Sequence, residues 1–394
     1  MDPTKITESD ISTKTALRFV VLVGIVSLFA DMTYEGARSI NGPFLAILGA
    51  SGTTVGVVSG LGELIGYALR LVSGYFSDKT KSYWTITFLG YAINLIAVPL
   101  LALAGNWPLA ATLMMIERIG KAIRVPPRDA MLSYATHHMG RGWGFGLHEA
   151  LDQLGAILGP LIIAAVLYFQ DGYKTAYGLL FIPALLALGV LATARFLYPH
   201  PQDLEISQTK LQVQGFSKSF WLYITAAALI AAGFADFPLI AYHFQKTSVA
   251  GPTMIPILYA VAMGVDALAA LAFGRMFDRI GLSTMMLVAV LSAFFAPLVF
   301  FGGLSLAIPG MALWGIGMGA QESIMHAAVA GMVATEQRGL AYGVFNTVYG
   351  ISWFLGSVLI GILYDVSIPW LVVFSVAAQL ASIPIFYLLR TRIQ

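Results

Sequence analysis

Nine acidic residues fall inside long apolar stretches of this sequence: Asp31, Glu35, Glu63, Glu117, Glu149, Asp152, Asp236, Asp266 and Glu322. Only three arginines share those stretches, Arg38, Arg70 and Arg118. A charge at mid-bilayer costs roughly 2.5–3.5 kcal/mol even on the lenient scale. Three acids can pair with the arginines. The other six must be protonated, solvated in a cavity or bound to a cation. A carboxyl withdrawn from water takes up a proton more readily, so this excess of acid reads as proton coupling.

Helical spacing groups these residues. At about 100° per residue, Asp31, Glu35 and Arg38 lie within about 60° of one another, with Tyr34 at their flank. Glu63 and Arg70 share a face seven residues apart, as do Asp236 and His243. His148, Glu149, Asp152 and Gln153 crowd one side of a single segment. Glu322 shares a face with His326, and Asn346 with Tyr349 and Trp353. Tyr34, Tyr242 and Tyr349 are the tyrosines expected at a cavity. Static ion pairs, Asp31 with Arg38 and Glu63 with Arg70, are the bland alternative. Arg118, Lys121 and Arg124 also fit a simple interfacial role. Gly62, Gly66, Gly155 and Gly159 have the small-x-x-x-small spacing of helix contacts. His137 and His138, after Pro126-Pro127, read as solvated.

The elements that must position these groups are membrane helices. The chain has 394 residues, of which 58% are hydrophobic and 11% charged, with a mean hydropathy of +0.80. A soluble chain is about 25% charged. A net charge of +2 gives no argument for nucleic acid. The absence of cysteine excludes disulfides, thiolate metal sites and thiol nucleophiles. A span needs roughly 20 apolar residues. Twelve such runs are legible, near 16–48, 53–77, 83–105, 108–124, 141–168, 174–198, 218–246, 252–277, 283–304, 307–333, 338–365 and 368–390. The first reads as a retained helix rather than a cleaved signal. With the N-terminus inside, the outer loops hold only Lys174 and Lys246 of the 22 basic residues. The positive-inside rule then puts both termini in the cytoplasm.

The polar stretch at 199–217 divides the spans six and six. Residues 1–198 read as an N-terminal half and 218–394 as a C-terminal half. Phe-Ala-Asp recurs at 29–31 and 234–236, and Glu117 has its echo in Glu322 at the same offset. GYFSDK at 74–79 returns as GRMFDR at 274–279, and RGWGFG at 141–146 as RGLAYG at 338–343. Four echoes in one order mark two related halves, as in transporters built from repeats.

The loop stretches sharpen this. Gly274-Arg275-Met276-Phe277-Asp278-Arg279-Ile280-Gly281 is similar to the G-x-x-x-D-[R/K]-x-G motif of the major facilitator superfamily. The first copy, built on Gly74, Asp78 and Lys79, ends in Lys81 where that motif has glycine. The stretches 120–130 and 341–357 resemble a drug-resistance-like subgroup of bacterial and archaeal permeases. Gly155-x-x-x-Gly159-Pro160 is similar to the family's antiporter motif without its trailing glycines. The resemblance implies an all-α fold of twelve membrane helices. It also implies a cytoplasmic gate at Gly74, Asp78, Lys79, Gly274, Asp278 and Arg279. Spans one, four, seven and ten, with faces of two, five, eight and eleven, would surround a central cavity.

The reading is a proton-coupled secondary transporter, not an enzyme. It would move a small charged or zwitterionic organic solute across the inner or plasma membrane by alternating access, with efflux by antiport favoured. Asp31, Glu35, Glu117, Glu149 and Asp152 are the expected proton carriers. Tyr34, Arg38, Glu63, Arg118, His148, Asp236, His243, Asp266, Glu322, His326, Asn346 and Tyr349 are the expected cavity residues. Its partners are the solute, protons and lipid. A monomer without cofactor, resident metal or nucleic acid is expected. Proton symport of a polar metabolite, a metal or a metal chelate is the alternative, because imidazole and carboxylate bind transition metals. A membrane enzyme using His148, Glu149 and Asp152 is remote, since no nucleophile, zinc or phosphate motif accompanies them.

Overall fold

A computed structural model describes residues 8–136, 141–170, 172–199, 216–333 and 338–393. They form α-helices joined by short turns, with no strand among the described residues. This is the expected answer to lipid, where each backbone polar group must find its partner within its own segment. The first half holds α1 (Glu8–Ile47), α2 (Gly52–Thr80), α3 (Tyr83–Leu100), α4 (Trp107–Thr136), α5 (Arg141–Phe169), α6 (Tyr173–Leu179) and α7 (Phe181–Leu197). The second holds α8 (Lys218–Gly233), α9 (Phe237–Thr247), α10 (Met254–Ile280), α11 (Ser283–Ala293), α12 (Phe295–Phe301), α13 (Leu304–Met332), α14 (Arg338–Val366) and α15 (Ile368–Ile393). The pairs α6–α7, α8–α9 and α11–α12 each act as one broken span. Each break precedes a proline, Pro183, Pro238 or Pro297, whose ring cannot continue the helical ladder.

Among the described residues, ten segments are long and apolar enough to cross a membrane. The glycine-rich α13 and the charged α4 complete the twelve. The expected fourth span, 108–124, was too short. The helix runs on to Thr136 through Pro126 and Pro127. Pro127 cannot donate to the carbonyl of Ile123, and the Ser73 hydroxyl of α2 donates to that carbonyl instead, at 2.6 Å. A neighbouring helix thus satisfies the group that proline frees. The extension carries Arg128 to Ser27 of α1, beside Arg124, which is only 1% exposed. His137 and His138 lie outside the described residues.

Helix pairs α2·α14, α1·α9 and α5·α10 join the halves. Glycine makes the closest approaches. A side chain on Gly42 would collide with the Pro238 carbonyl of α9, and one on Gly56 with the Ser357 carbonyl of α14. Within the first half, Gly155 and Gly159 let α5 lie on the α1 backbone at Leu28 and Met32.

Candidate transport site

Two adjoining chambers occupy the centre of the bundle. The larger, about 230 Å³, runs from Tyr34, Arg38 and Arg118 to Arg70, Glu322 and Tyr349. The smaller, about 80 Å³, is ringed by Asp31, Glu35, Glu149, Asp152, Asp266 and Glu322. Glu35, Arg38, Lys121, Met318 and Glu322 belong to both walls.

Arg38 is the hub. Its Nη2 lies 3.4 Å from Glu63 Oε1 and 3.3 Å from Asp236 Oδ1, and its Nη1 donates to Tyr34 Oη at 3.3 Å. Arg118 reaches Glu63 at 3.1 Å and Glu117 at 3.6 Å, and donates to the Tyr34 hydroxyl. Lys121 stands 3.6 Å above the Tyr34 ring and 4.0 Å from Glu35, a cation–π contact beside a long ion pair. Tyr259 Oη of α10 donates to Glu35 Oε2 at 2.6 Å. Deeper in the first half, Arg124 meets Asp31 at 3.4 Å and covers the Tyr91 ring.

The pairing departs from the expected one. Asp31 pairs with Arg124, not Arg38, and Glu63 pairs with Arg38 and Arg118, not Arg70. Seven residues separate each expected pair, roughly 10 Å along a helix at about 1.5 Å per residue. Sharing a face therefore did not bring those charges together. Arg118 and Arg124 are buried network members rather than interfacial charges. One guanidinium also serves several acids. Five of the nine acids form ion pairs: Asp31, Glu35, Glu63, Glu117 and Asp236. Glu149, Asp152, Asp266 and Glu322 pair with no described basic side chain. All four line the smaller chamber.

Asp236 sits at the α8–α9 break with extended backbone, ψ 144°. Trp353 Nε1 donates to its Oδ2 at 3.0 Å, and Ser357 Oγ at 3.5 Å. Asp152 shares the wall of the smaller chamber with Asp31, and its Oδ1 is buried without a hydrogen-bond partner. Tyr349 Oη donates to Gln321 Oε1 at 2.6 Å. Other expected site residues stand elsewhere. Glu117 turns away from both chambers and accepts from Asn94 Nδ2 of α3 at 2.6 Å. His148 bonds the Ser27 hydroxyl at 2.8 Å, and His243 bonds Tyr364 Oη at 3.1 Å. Both histidines meet hydroxyls rather than acids, and neither lines a chamber. Asn346 is half-buried and also off both walls. Tyr242 donates to the Ala50 carbonyl instead of facing a cavity. The His326 side chain lies outside the described residues. Gly62 makes room for Arg118, while Gly66 has open space beside it, so it is a wall position rather than a helix contact.

The ends of the bundle differ. Near the α1–α2 turn, Asp365 of α14 accepts from the backbone amides of Gly52 and Thr53 at 3.0 and 2.7 Å. A carboxylate on the free amides of a helix N-terminus is a favourable cap, and here it joins the halves. Tyr173 donates to Gln245 at the same end. Toward the other end, Gly66, Gly146 and Gly264 meet nothing within 4 Å. The described contacts of the gate residues stay within their own halves. Gly74 meets Pro126, Asp78 accepts from Tyr83, Lys79 covers Tyr75, and Gly274 meets Ser323. Asp278 and Arg279 are exposed. Gly281 ends α10 at φ +55°, and Lys81 ends α2 at φ +55° in the matching place. The two turns differ in ψ, 16° at Lys81 and −134° at Gly281, so the first copy ends its helix in a left-handed turn that a lysine can adopt and the second in one that favours glycine.

Sequence patterns did not single out Tyr67, Tyr259 or Gln321, and read Lys121 as an interfacial charge rather than a wall residue. Lys121 had a signal, three residues from Arg118 on one helix. Tyr259 is a lone tyrosine on an apolar span and gave none.

The family model for the Major Facilitator Superfamily matches residues 23–308 and 236–393. The chain belongs to the major facilitator superfamily. An uncharacterized protein of Mycobacterium tuberculosis is 41% identical over 382 residues, covering 95% of this chain and 93% of its own length. An uncharacterized MFS-type transporter of Methanocaldococcus jannaschii is 28% identical over 364 residues, covering 88% of this chain and 89% of its own. Among solved structures, the nucleoside transporter NupG has a TM-score of 0.73 at 15% identity, over 95% of this chain and 99% of that one. A bacterial homolog to the human lysosomal transporter Spinster, inward-facing and unoccupied, has a TM-score of 0.69 at 13% identity, over 95% of each chain. At such identity these structures speak for the fold alone. The protein is a multi-pass membrane protein of a transporter superfamily.

Proposed function

We propose that this chain is a proton-coupled secondary transporter of a small charged organic solute in the plasma or inner membrane. The carrying observation is the smaller chamber, where six carboxyls face Arg38 and Lys121, the only basic side chains of its wall among the described residues. Like charges this close cannot all ionise, so the cluster holds protons. Asp31 is held by Arg124, and Asp152, on the same chamber wall and without an ion pair, carries one. Glu149, Asp266 and Glu322, free of ion pairs, exchange theirs with the solvent of the chambers. With both termini in the cytoplasm, the sealed end faces outward and the conformation is inward-open. The two six-span halves, acting in a monomer, then rock about the central site.

The α5 stretch at Gly155–Pro160 supports efflux by exchange for protons. The division into two chambers favours a second reading, symport, because separate sites allow solute and proton to be loaded together.

Proteoliposomes enclosing a pH dye test this reading. Organic acids, amines and zwitterions are added under a pH gradient of either sign. Wild-type protein is expected to give solute-dependent proton movement, and the productive gradient gives the direction. Glu149→Gln and Glu322→Gln should abolish that movement while solute exchange at equal pH survives. Transport indifferent to the gradient, or full coupling in both variants, would sink the proposal.

A further inference from the structure

The larger chamber is not charge-matched. Its wall carries Arg38, Arg70, Arg118 and Lys121 against Glu35, Glu63 and Glu322. Arg38 and Arg118 are held by Glu63, with Asp236 and Glu117 behind them. Lys121 rests on the Tyr34 ring near Glu35. Arg70 differs from these three. It forms no ion pair with a described carboxylate, and its Nε, like that of Arg38, is buried without a hydrogen-bond partner. Its guanidinium lies 5.4 Å from the centre of the Tyr67 ring. A buried donor without a partner is costly, and a guanidinium on a chamber wall offers a planar fork shaped for a carboxylate.

The surface beside Arg70 is aromatic. Tyr67 stands edge-on to Tyr349 at 5.6 Å, and Phe345 stacks on Tyr349 at 5.4 Å. Trp353 continues the row, 5.6 Å from Tyr349. The bond to Gln321 fixes the Tyr349 ring. Such a row takes a flat apolar body against its faces. The chamber volume lies below the roughly 300–1,000 Å³ of drug-sized sites, which suits a single ring.

We infer that the larger chamber binds a small organic anion with a flat apolar body, its carboxylate on Arg70 and its ring against Tyr67, Phe345 and Tyr349. Glu322 also lines this chamber. It stands beside Glu149 and Asp266 at the acidic end, and a proton there removes its repulsion of the anion. In that respect the inference rests on the proton assignment above.

The test is binding to purified full-length protein in detergent at one fixed pH, read by thermal shift and tryptophan fluorescence. The probes are benzoate, its amide benzamide, its amine counterpart benzylamine, and phenylalanine as a zwitterion. Benzoate alone is expected to stabilise the protein. Arg70→Gln should weaken benzoate binding at least tenfold, and Arg70→Lys should restore part of it. Tyr67→Leu should weaken it roughly three- to tenfold. Tighter binding of benzylamine or phenylalanine, unchanged benzoate binding in Arg70→Gln, or no binding by any probe would overturn the inference. No gradient is present, so such a failure leaves the proton-driven experiment to judge coupling separately.

Discussion

Asp31 lies on an unbroken helix, whereas Asp236, its counterpart in the second Phe-Ala-Asp, lies at a break between two. Asp31 binds Arg124 within its own half, with the arginine side chain only 1% exposed. Asp236 reaches across to Arg38 of the other half and is steadied by Trp353 and Ser357. One inherited residue therefore came to hold a half together, and the other came to join the halves. The cause is local. Pro238 interrupts the second copy where the aspartate faces the other half, while α1 has no proline before Pro43.

This contrast predicts unequal effects. The largest is expected from Asp31→Asn, which leaves Arg124 buried with no carboxylate partner. Breaking a buried pair from one side costs about 3–5 kcal/mol, seen as a large drop in unfolding temperature in detergent. Asp31→Asn combined with Arg124→Met should recover most of it. If the single variant is as stable as wild type, Asp31 does not hold the half together. Asp236→Asn should cost less, about 1.5–3 kcal/mol, because Arg38 keeps Glu63 and Trp353 can still donate. Its main effect should fall on the balance between conformations. The chain has no cysteine, so an Ala50→Cys reporter at the sealed end should react faster with maleimide in that background. An unchanged labelling rate would count against a joining role. The smallest effect, about 1 kcal/mol, is expected from Ser73→Ala, which removes the partner of the Ile123 carbonyl and loosens α4 where it delivers Arg124. Unaltered stability there would show that water serves the carbonyl as well.

Much of this is legible in the amino-acid sequence. Apolar runs gave the helices, and four ordered echoes gave the repeat. The polar residues of spans one, two, five, eight and ten do meet at the centre. Pairing was not legible, because a helical face fixes direction but not height, and Asp31 and Arg38 lie two turns apart. The partner of Asp31 was hidden by Pro126-Pro127, which read as the end of a span. Whether that proline pair ends α4 depends on Ser73, fifty residues earlier in the chain. The histidines misled for a related reason. His148 is adjacent to Glu149 in sequence, but the two side chains point to different neighbours, Ser27 and the smaller chamber.

Asp365, resting on the first amides of α2, has a further consequence. It stands at the rim of the bundle, where water can replace the carboxylate on those amides as soon as the halves part. Releasing it is therefore far easier than parting Arg38 from Asp236, which is buried at the centre of the bundle. The rim contact works best as a guide, setting the alignment in which the halves meet, while the interior pair decides how long they stay together.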